Sequence, residues 1–108
     1  MIVIMYTIIE TAMFRRYAEQ VWLDDEREAF IAWLAADPLV GDVIPGTGGV
    51  RKVRWRRQGS GKRGGVRVIY YNTLDGGEVW LLIVYSKSKF DNLPTSLLTK
   101  LKEELDHG

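Results

Sequence analysis

Apolar and polar positions alternate along this chain with two different periods, and the changes of period mark its elements. "IMYTIIE", from Ile4 to Glu10, is apolar and β-branched and predicts a first strand. Thr11 can then cap a helix in which Phe14, Tyr17, Ala18 and Val21 recur at helical spacing. A second helix is expected from the acidic run Asp24 to Glu28, where Asp24 or Asp25 can accept from free backbone N–H groups and the negative charges suit the helix dipole. Its apolar stripe includes Leu23, Phe30, Trp33 and Leu34. It ends at Asp37-Pro38, because the residue before a proline avoids the α region.

The pattern changes after Gly41. "GDVIPGTGG" reads as a loop, with Pro45 fixing one turn and Gly46, Gly48 and Gly49 available for positive φ. It lacks the G-K-[ST] ending of a phosphate-binding glycine loop, and no helix follows it. In "VRKVRWR", Val53 and Trp55 alternate with Lys52, Arg54 and Arg56, so the period of two sends the apolar pair to a core face and three cations to the other. The glycine-rich "QGSGKRGG" turns the chain back. Two further strands are expected, "VRVIYYNT" (Val66 to Thr73) and "EVWLLIVYS" (Glu78 to Ser86), joined at "DGG".

Both of these strands are almost continuously apolar, which suits inner strands with helices packed on one side. Arg67 is the exception, a lone cation among hydrophobes, and a buried arginine is rare unless paired or part of a site. A closing helix from Thr95 to Asp106 aligns Leu98, Leu101 and Leu105. The order β-α-α-β-β-β-α predicts an α+β fold: a small curved antiparallel sheet with helices against one face and basic residues on the other. With 108 residues, no internal repeat and no linker, residues 1–108 are expected to form one domain.

Composition narrows the classes. An apolar content of 46% with 11% aromatic suits a folded core. Having no cysteine, the chain has neither a disulfide framework nor a thiolate metal site, in keeping with a reducing cytoplasm. "MIVIMY" is shorter than the ~18 residues of a membrane span and lacks the basic flank of a signal peptide, so a cytoplasmic protein is expected.

Charge changes the picture most. The formal net charge is only +1, yet Arg51 to Arg67 holds eight of the 15 Lys and Arg residues, and Val43 to Leu74 contains no acid. Residues 1–42 instead carry eight acids against three arginines. Eight like charges without counter-ions repel one another, and such a concentration suits a polyanionic partner, with phosphate the natural one.

Several strings together carry a family resemblance: "FRRY", "GDVIPGTGGVRKVR", "GKRGGVRVIYY", "LLIVYSK" and "DNL", spread over roughly Glu10 to Leu93. The chain resembles bacterial toxins of the RelE/ParE superfamily, close to the HigB-like branch. The resemblance implies a RelE-like fold and a ribosome-dependent endoribonuclease that cuts translated mRNA, held off by a helix-turn-helix antitoxin. Its implied partners are that antitoxin, the ribosome and mRNA. It implies no cofactor and no metal, and uses the neighbouring 2′-OH as nucleophile. His107, the single histidine, lies at the tail, and no cluster of His and carboxylates suggests a metal site. Lysine, arginine and tyrosine remain, and a lysine set among arginines makes a better proton shuttle.

By the same resemblance, Arg67 in "GGVRVIYY" matches the strand arginine used on the scissile phosphate. Lys87 in "VYSK" matches the basic residue just past the last strand, assigned to charge stabilisation or proton transfer. Lys89, two residues on, is its alternative and is otherwise expected to bind RNA. Lys52 and Arg54 match the basic strand pair and Lys62 the loop lysine, serving either the RNA backbone or the chemistry. Arg51, Arg56, Arg57 and Arg63 complete a basic block for RNA. Phe90 stands where some relatives have a tyrosine; it can stack on a base but cannot move a proton. Two other functions remain compatible: a ParE-like gyrase poison, and an inactive relative that binds RNA or antitoxin without cutting. The antitoxin has two candidate docking surfaces, the basic face or the acidic helical half with the edge beside "MIVIM".

Overall fold

Thr11 joins the first strand to the first helix and ties both to the sheet. Its side-chain oxygen accepts from the Phe14 N–H at 3.2 Å, capping the helix, and donates to the Leu81 carbonyl at 2.7 Å. In the computed structural model, which describes residues 6–56, 65–87, 89 and 92–106, the elements run β1 (Thr7–Glu10), α1 (Ala12–Val21), α2 (Asp24–Ala36), β2 (Asp42–Val43), β3 (Arg51–Trp55), β4 (Val66–Thr73), β5 (Glu78–Ser86) and α3 (Thr95–Asp106). The α+β reading and its element order hold. β2 is an added two-residue strand within the segment read as a loop; proline and glycine on either side hide so short a run.

The sheet order is β1-β5-β4-β3-β2. β1 pairs parallel with β5, whereas the other pairs are antiparallel, so the sheet is mixed rather than wholly antiparallel. Connectivity explains this. The helical pair carries the chain to the far edge, and three antiparallel reversals from β2 then bring β5 beside β1 in the same direction.

Two apolar layers cover the two faces of the sheet. On one, Phe14, Ala18 and Trp22 together with Phe30 and Leu34 pack on Val53, Val68, Tyr70 and Leu81. On the other, Leu98 and Leu101 of α3 join Val50, Ile69, Leu82, Ile83 and Tyr85. The helices therefore occupy both faces instead of one. The continuous apolar runs of β4 and β5 require this, since alternation presents hydrophobes on both sides. A bulge adjusts the register: Ile69 pairs with Ile83 and Tyr70 with Leu81, leaving Leu82 as the extra residue, so Leu82 and Ile83 join the same layer.

Local expectations for α2 are corrected in two places. Leu23 occupies the N-cap position and makes no side-chain capping bond, so Asp24 and Asp25 act from inside the first turn through the helix dipole. Phe30 and Leu34 are buried as expected, but Leu23 is 73% and Trp33 41% exposed. The first strand is described from Thr7; residues 1–5, including "MIVIM", lie outside the described residues.

Candidate functional site

The register across β3, β4 and β5 builds one row of three side chains. Arg54 pairs with Arg67, and Arg67 pairs with Tyr85, so all three project from the same face of the sheet. This is the face that α3 covers in part, and alternation adds Lys52 two residues before Arg54. Directly opposed like charges destabilise a strand pair. Here the pair is also unevenly solvated: Arg54 is exposed, whereas Arg67 is only 6% exposed.

Arg67 is the unusual member. Its Nη1 is buried and finds no hydrogen-bond partner among the described residues, where a buried donor normally has one. Arg27 forms ion pairs with Glu10 and Asp24. Lys52, Arg54, Arg67 and Lys87 make no ion pair among the described residues. A buried guanidinium beside other uncompensated cations is a ready site for an anion, because the anion supplies the acceptors that the protein withholds.

Local packing fixes this row in position. Trp55, at the end of β3, meets Trp22 edge-on at 5.6 Å and Phe30 at 5.7 Å, which anchors the strand end just past Arg54. Gly65 enters β4 with φ of 71°, and a Cβ there would lie 2.6 Å from the Trp55 carbonyl oxygen. No larger residue fits where the two strand ends approach so closely beside Arg67.

Tyr85 is the site neighbour that sequence reasoning missed, because it lies inside an apolar run and counts there as core. It is 1% exposed. Burial raises its hydroxyl pKa, while the positive charge of Arg67 partly opposes the rise. Its hydroxyl therefore stays protonated through the neutral range.

Lys87 is exposed, one residue beyond β5. The Lys89 N–H donates to the Ser86 carbonyl at 3.0 Å and closes a turn around it. The Lys89 ammonium donates to Oε1 of Gln20 at 2.9 Å and sits 5.2 Å from the centroid of the Tyr17 ring. Lys87 and Lys89, alternatives in the sequence, are both exposed, but the ammonium of Lys89 is also engaged with α1. Arg56 is exposed just past β3. Arg51 points away from the row, with Nη1 donating to the Gly41 carbonyl at 2.6 Å. Arg57, Lys62, Arg63 and Phe90 lie outside the described residues.

A groove of about 480 Å³ lies at the opposite end of β3 and β4, between Leu39, Val43, Arg51, Tyr71 and Asn72, and includes none of the row. Among the described residues no group of three His, Cys, Asp or Glu side chains could hold a metal ion.

No family model matches the chain. Among solved structures, the fold is similar to that of a mutant of the E. coli toxin RelE in the free state, with a TM-score of 0.63 and 10% identity, covering 91% of this chain and 97% of that one. It is also similar to a chain of the RelBE2 toxin–antitoxin complex from Mycobacterium tuberculosis, with a TM-score of 0.49 and 24% identity, covering 77% of this chain and 99% of that one.

Proposed function

We propose that this protein is the toxin of a type II toxin–antitoxin pair, and that it is an endoribonuclease cutting translated mRNA on the ribosome without a metal ion. The observation that carries this reading is Arg67: a buried guanidinium with an unpartnered Nη1 among the described residues, set opposite Arg54 and next to Tyr85. Its fold, similar to that of a protein described as a toxin, supports the first half of the reading.

The chemistry follows from charge. The 2′-OH of the nucleotide before the cut attacks the adjacent phosphorus and loses its proton, forming a phosphorane with a second negative charge. The P–O5′ bond then breaks, leaving a 2′,3′-cyclic phosphate and a 5′-OH that takes up a proton. Nucleophile and leaving group both come from the substrate, so the protein has to orient the phosphate, stabilise its growing charge and pass protons. Arg67 binds the non-bridging oxygens, and Arg54 adds a second cation to the same phosphate region. Lys87, exposed past the end of β5, meets the leaving oxygen and supplies charge or a proton. Lys52, Arg56, Arg57, Lys62 and Arg63 are the proposed contacts to the RNA backbone, and Phe90 the base-stacking one.

The proposed partners are ribosome-bound mRNA and a cognate helix-turn-helix antitoxin, which puts the protein in the cytoplasm. No helix among the described residues is long and apolar enough to cross a membrane. The deciding experiment is brief induction in a bacterium followed by genome-wide mapping of mRNA 5′ ends. New ends inside translated frames, absent with Arg67→Ala, are the expected result. DNA-damage signalling with intact messages would instead indicate a gyrase poison, and neither effect an inactive binding relative.

A further inference from the structure

Lys89 has a third role open to it besides contacting RNA or substituting for Lys87. Its ammonium is held at two points on one face of α1, by Gln20 Oε1 at 2.9 Å and by the Tyr17 ring at 5.2 Å. Those two residues are three apart, the spacing that puts side chains side by side on a helix. Its backbone N–H meanwhile donates to the carbonyl of Ser86 at 3.0 Å. Ser86 is the last residue of β5 and pairs with Val66, the neighbour of Arg67 on β4. Lys87 lies inside the turn that this bond closes.

The anchor is rigid. Tyr17 packs against both apolar layers of the protein, so its ring is fixed from two sides. The side-chain tether adds to the backbone bond from Lys89 N–H to Ser86 O in holding the turn beyond the last strand. A long lysine side chain on a loosely held turn samples many positions, and its charge averages over them.

We infer that Tyr17, Gln20 and Lys89 form a clamp that fixes Lys89 against α1 and so positions Lys87 toward the phosphate held by Arg67. This rests on the endoribonuclease reading for its catalytic consequence, but the clamp itself is a property of the free protein. Lys89 is then a positioning residue. Its ammonium is directed to Gln20 and Tyr17 on α1, which distinguishes it from the cations proposed to hold RNA.

The test uses the intact protein with two readouts. The first is amide hydrogen exchange at Lys89, whose N–H reports closure of the turn. Gln20→Ala is expected to speed that exchange about 10-fold while amides in β4 and β5 keep their wild-type rates. The second is steady-state cleavage of mRNA on programmed ribosomes. There Gln20→Ala is expected to lower kcat about 10-fold with KM within twofold, since a small misplacement of a reacting group costs rate before binding. Gln20→Glu, which offers an acceptor at the same place, restores kcat. In a Lys87→Ala background Gln20→Ala has no further effect, because the clamp acts through Lys87.

The proposal is overturned if Lys89 exchange is unchanged in Gln20→Ala. It is also overturned if Lys89→Met raises KM and flattens the salt dependence of binding while kcat stays at wild type, which would make Lys89 an RNA contact. If the wild-type protein does not cut mRNA at all, the endoribonuclease reading fails, and the exchange measurement still decides whether the clamp exists.

Discussion

Arg54 and Arg67 stand directly opposite one another on adjacent antiparallel strands, one exposed and the other buried. Cross-strand pairing favours opposite charges, so this arrangement works against folding. The buried member is the more costly of the two, since a cation removed from water without a counter-ion loses solvation, and at Nη1 no partner among the described residues replaces it. A pair of this kind is stabilised when an anion lies between the two guanidiniums.

A test of that conflict needs two measurements on one position. Arg67→Ala should lower cleavage by roughly 100-fold or more, as loss of one donor to a developing oxyanion does. Arg67→Met, which keeps the stem and removes the charge, should hold or raise thermal stability, by about 1 kcal/mol or ~4 °C in Tm. A clear drop in Tm for Arg67→Met would mean that the guanidinium is a structural ion-pair partner, and the site assignment would fall with it.

Alkaline pH should destabilise the fold in a definable window. Burial raises the hydroxyl pKa of both Tyr70 and Tyr85 from the ordinary 10.0. The folded state therefore keeps these protons to higher pH than the unfolded chain does. Their stabilising contribution is complete below pH 10 and is lost as pH rises through the raised folded values. Urea midpoints measured from pH 8 upward should stay level on this account and decline beyond about 10. Tyr85→Phe should make that decline shallower. Tyr70→Phe carries a second cost at every pH: the Tyr70 hydroxyl donates to Pro38 O and accepts from Gly41 N–H, both at 2.9 Å. Leaving that buried N–H unpaired should cost about 1–3 kcal/mol.

Much of this was legible in the residues. The alternation in "VRKVRWR" separated Val53 and Trp55 from Lys52 and Arg54, and the lone charge in "VRVIYYNT" singled out Arg67. What stayed hidden depends on pairing between distant segments. Tyr85 reads as core until register sets it opposite Arg67. Gln20 has no local signature at all, and becomes visible only when the turn after β5 folds back onto α1. The side on which α3 packs was equally hidden, because the leucines of a helix specify that it buries a face without saying which face of a doubly apolar sheet receives it. Leu23 and Trp33 fit the helical period, yet both stay exposed.

Gly65 makes a sharper backbone prediction than any side chain nearby. With φ of 71° and a Cβ position 2.6 Å from Trp55 O, an alanine there is strained and crowded together. Gly65→Ala should destabilise the protein by more than about 1 kcal/mol and slow cleavage, because the strand end carrying Arg67 must shift. Calorimetry together with a cleavage assay checks both. An unperturbed Tm would show that the two strand ends can move apart at little cost, and that their close approach does not hold Arg67 in place.

Arg51 and Arg54 lie three residues apart in the same basic block, yet they should respond differently to salt. Arg54 is exposed on the face shared with Arg67, and an exposed cation that meets a phosphate releases a counter-ion on binding. Arg54→Gln should therefore weaken RNA or ribosome association and lower the slope of log affinity against log salt by about one. Arg51 instead donates through Nη1 to the carbonyls of Gly41, at 2.6 Å, and Leu39, at 3.4 Å, tying down the loop before β2. Its guanidinium is engaged by the protein and lies beside the groove at the far end of β4. Arg51→Gln should leave the salt slope unchanged and lower stability by about 1 kcal/mol, the scale of a single net hydrogen bond. Affinities measured from 50 to 300 mM salt, with a thermal melt of each variant, separate the two. An equal loss of slope for both would mean that the whole basic block contacts RNA, and that the face defined by Arg54, Arg67 and Tyr85 has no privileged place in binding.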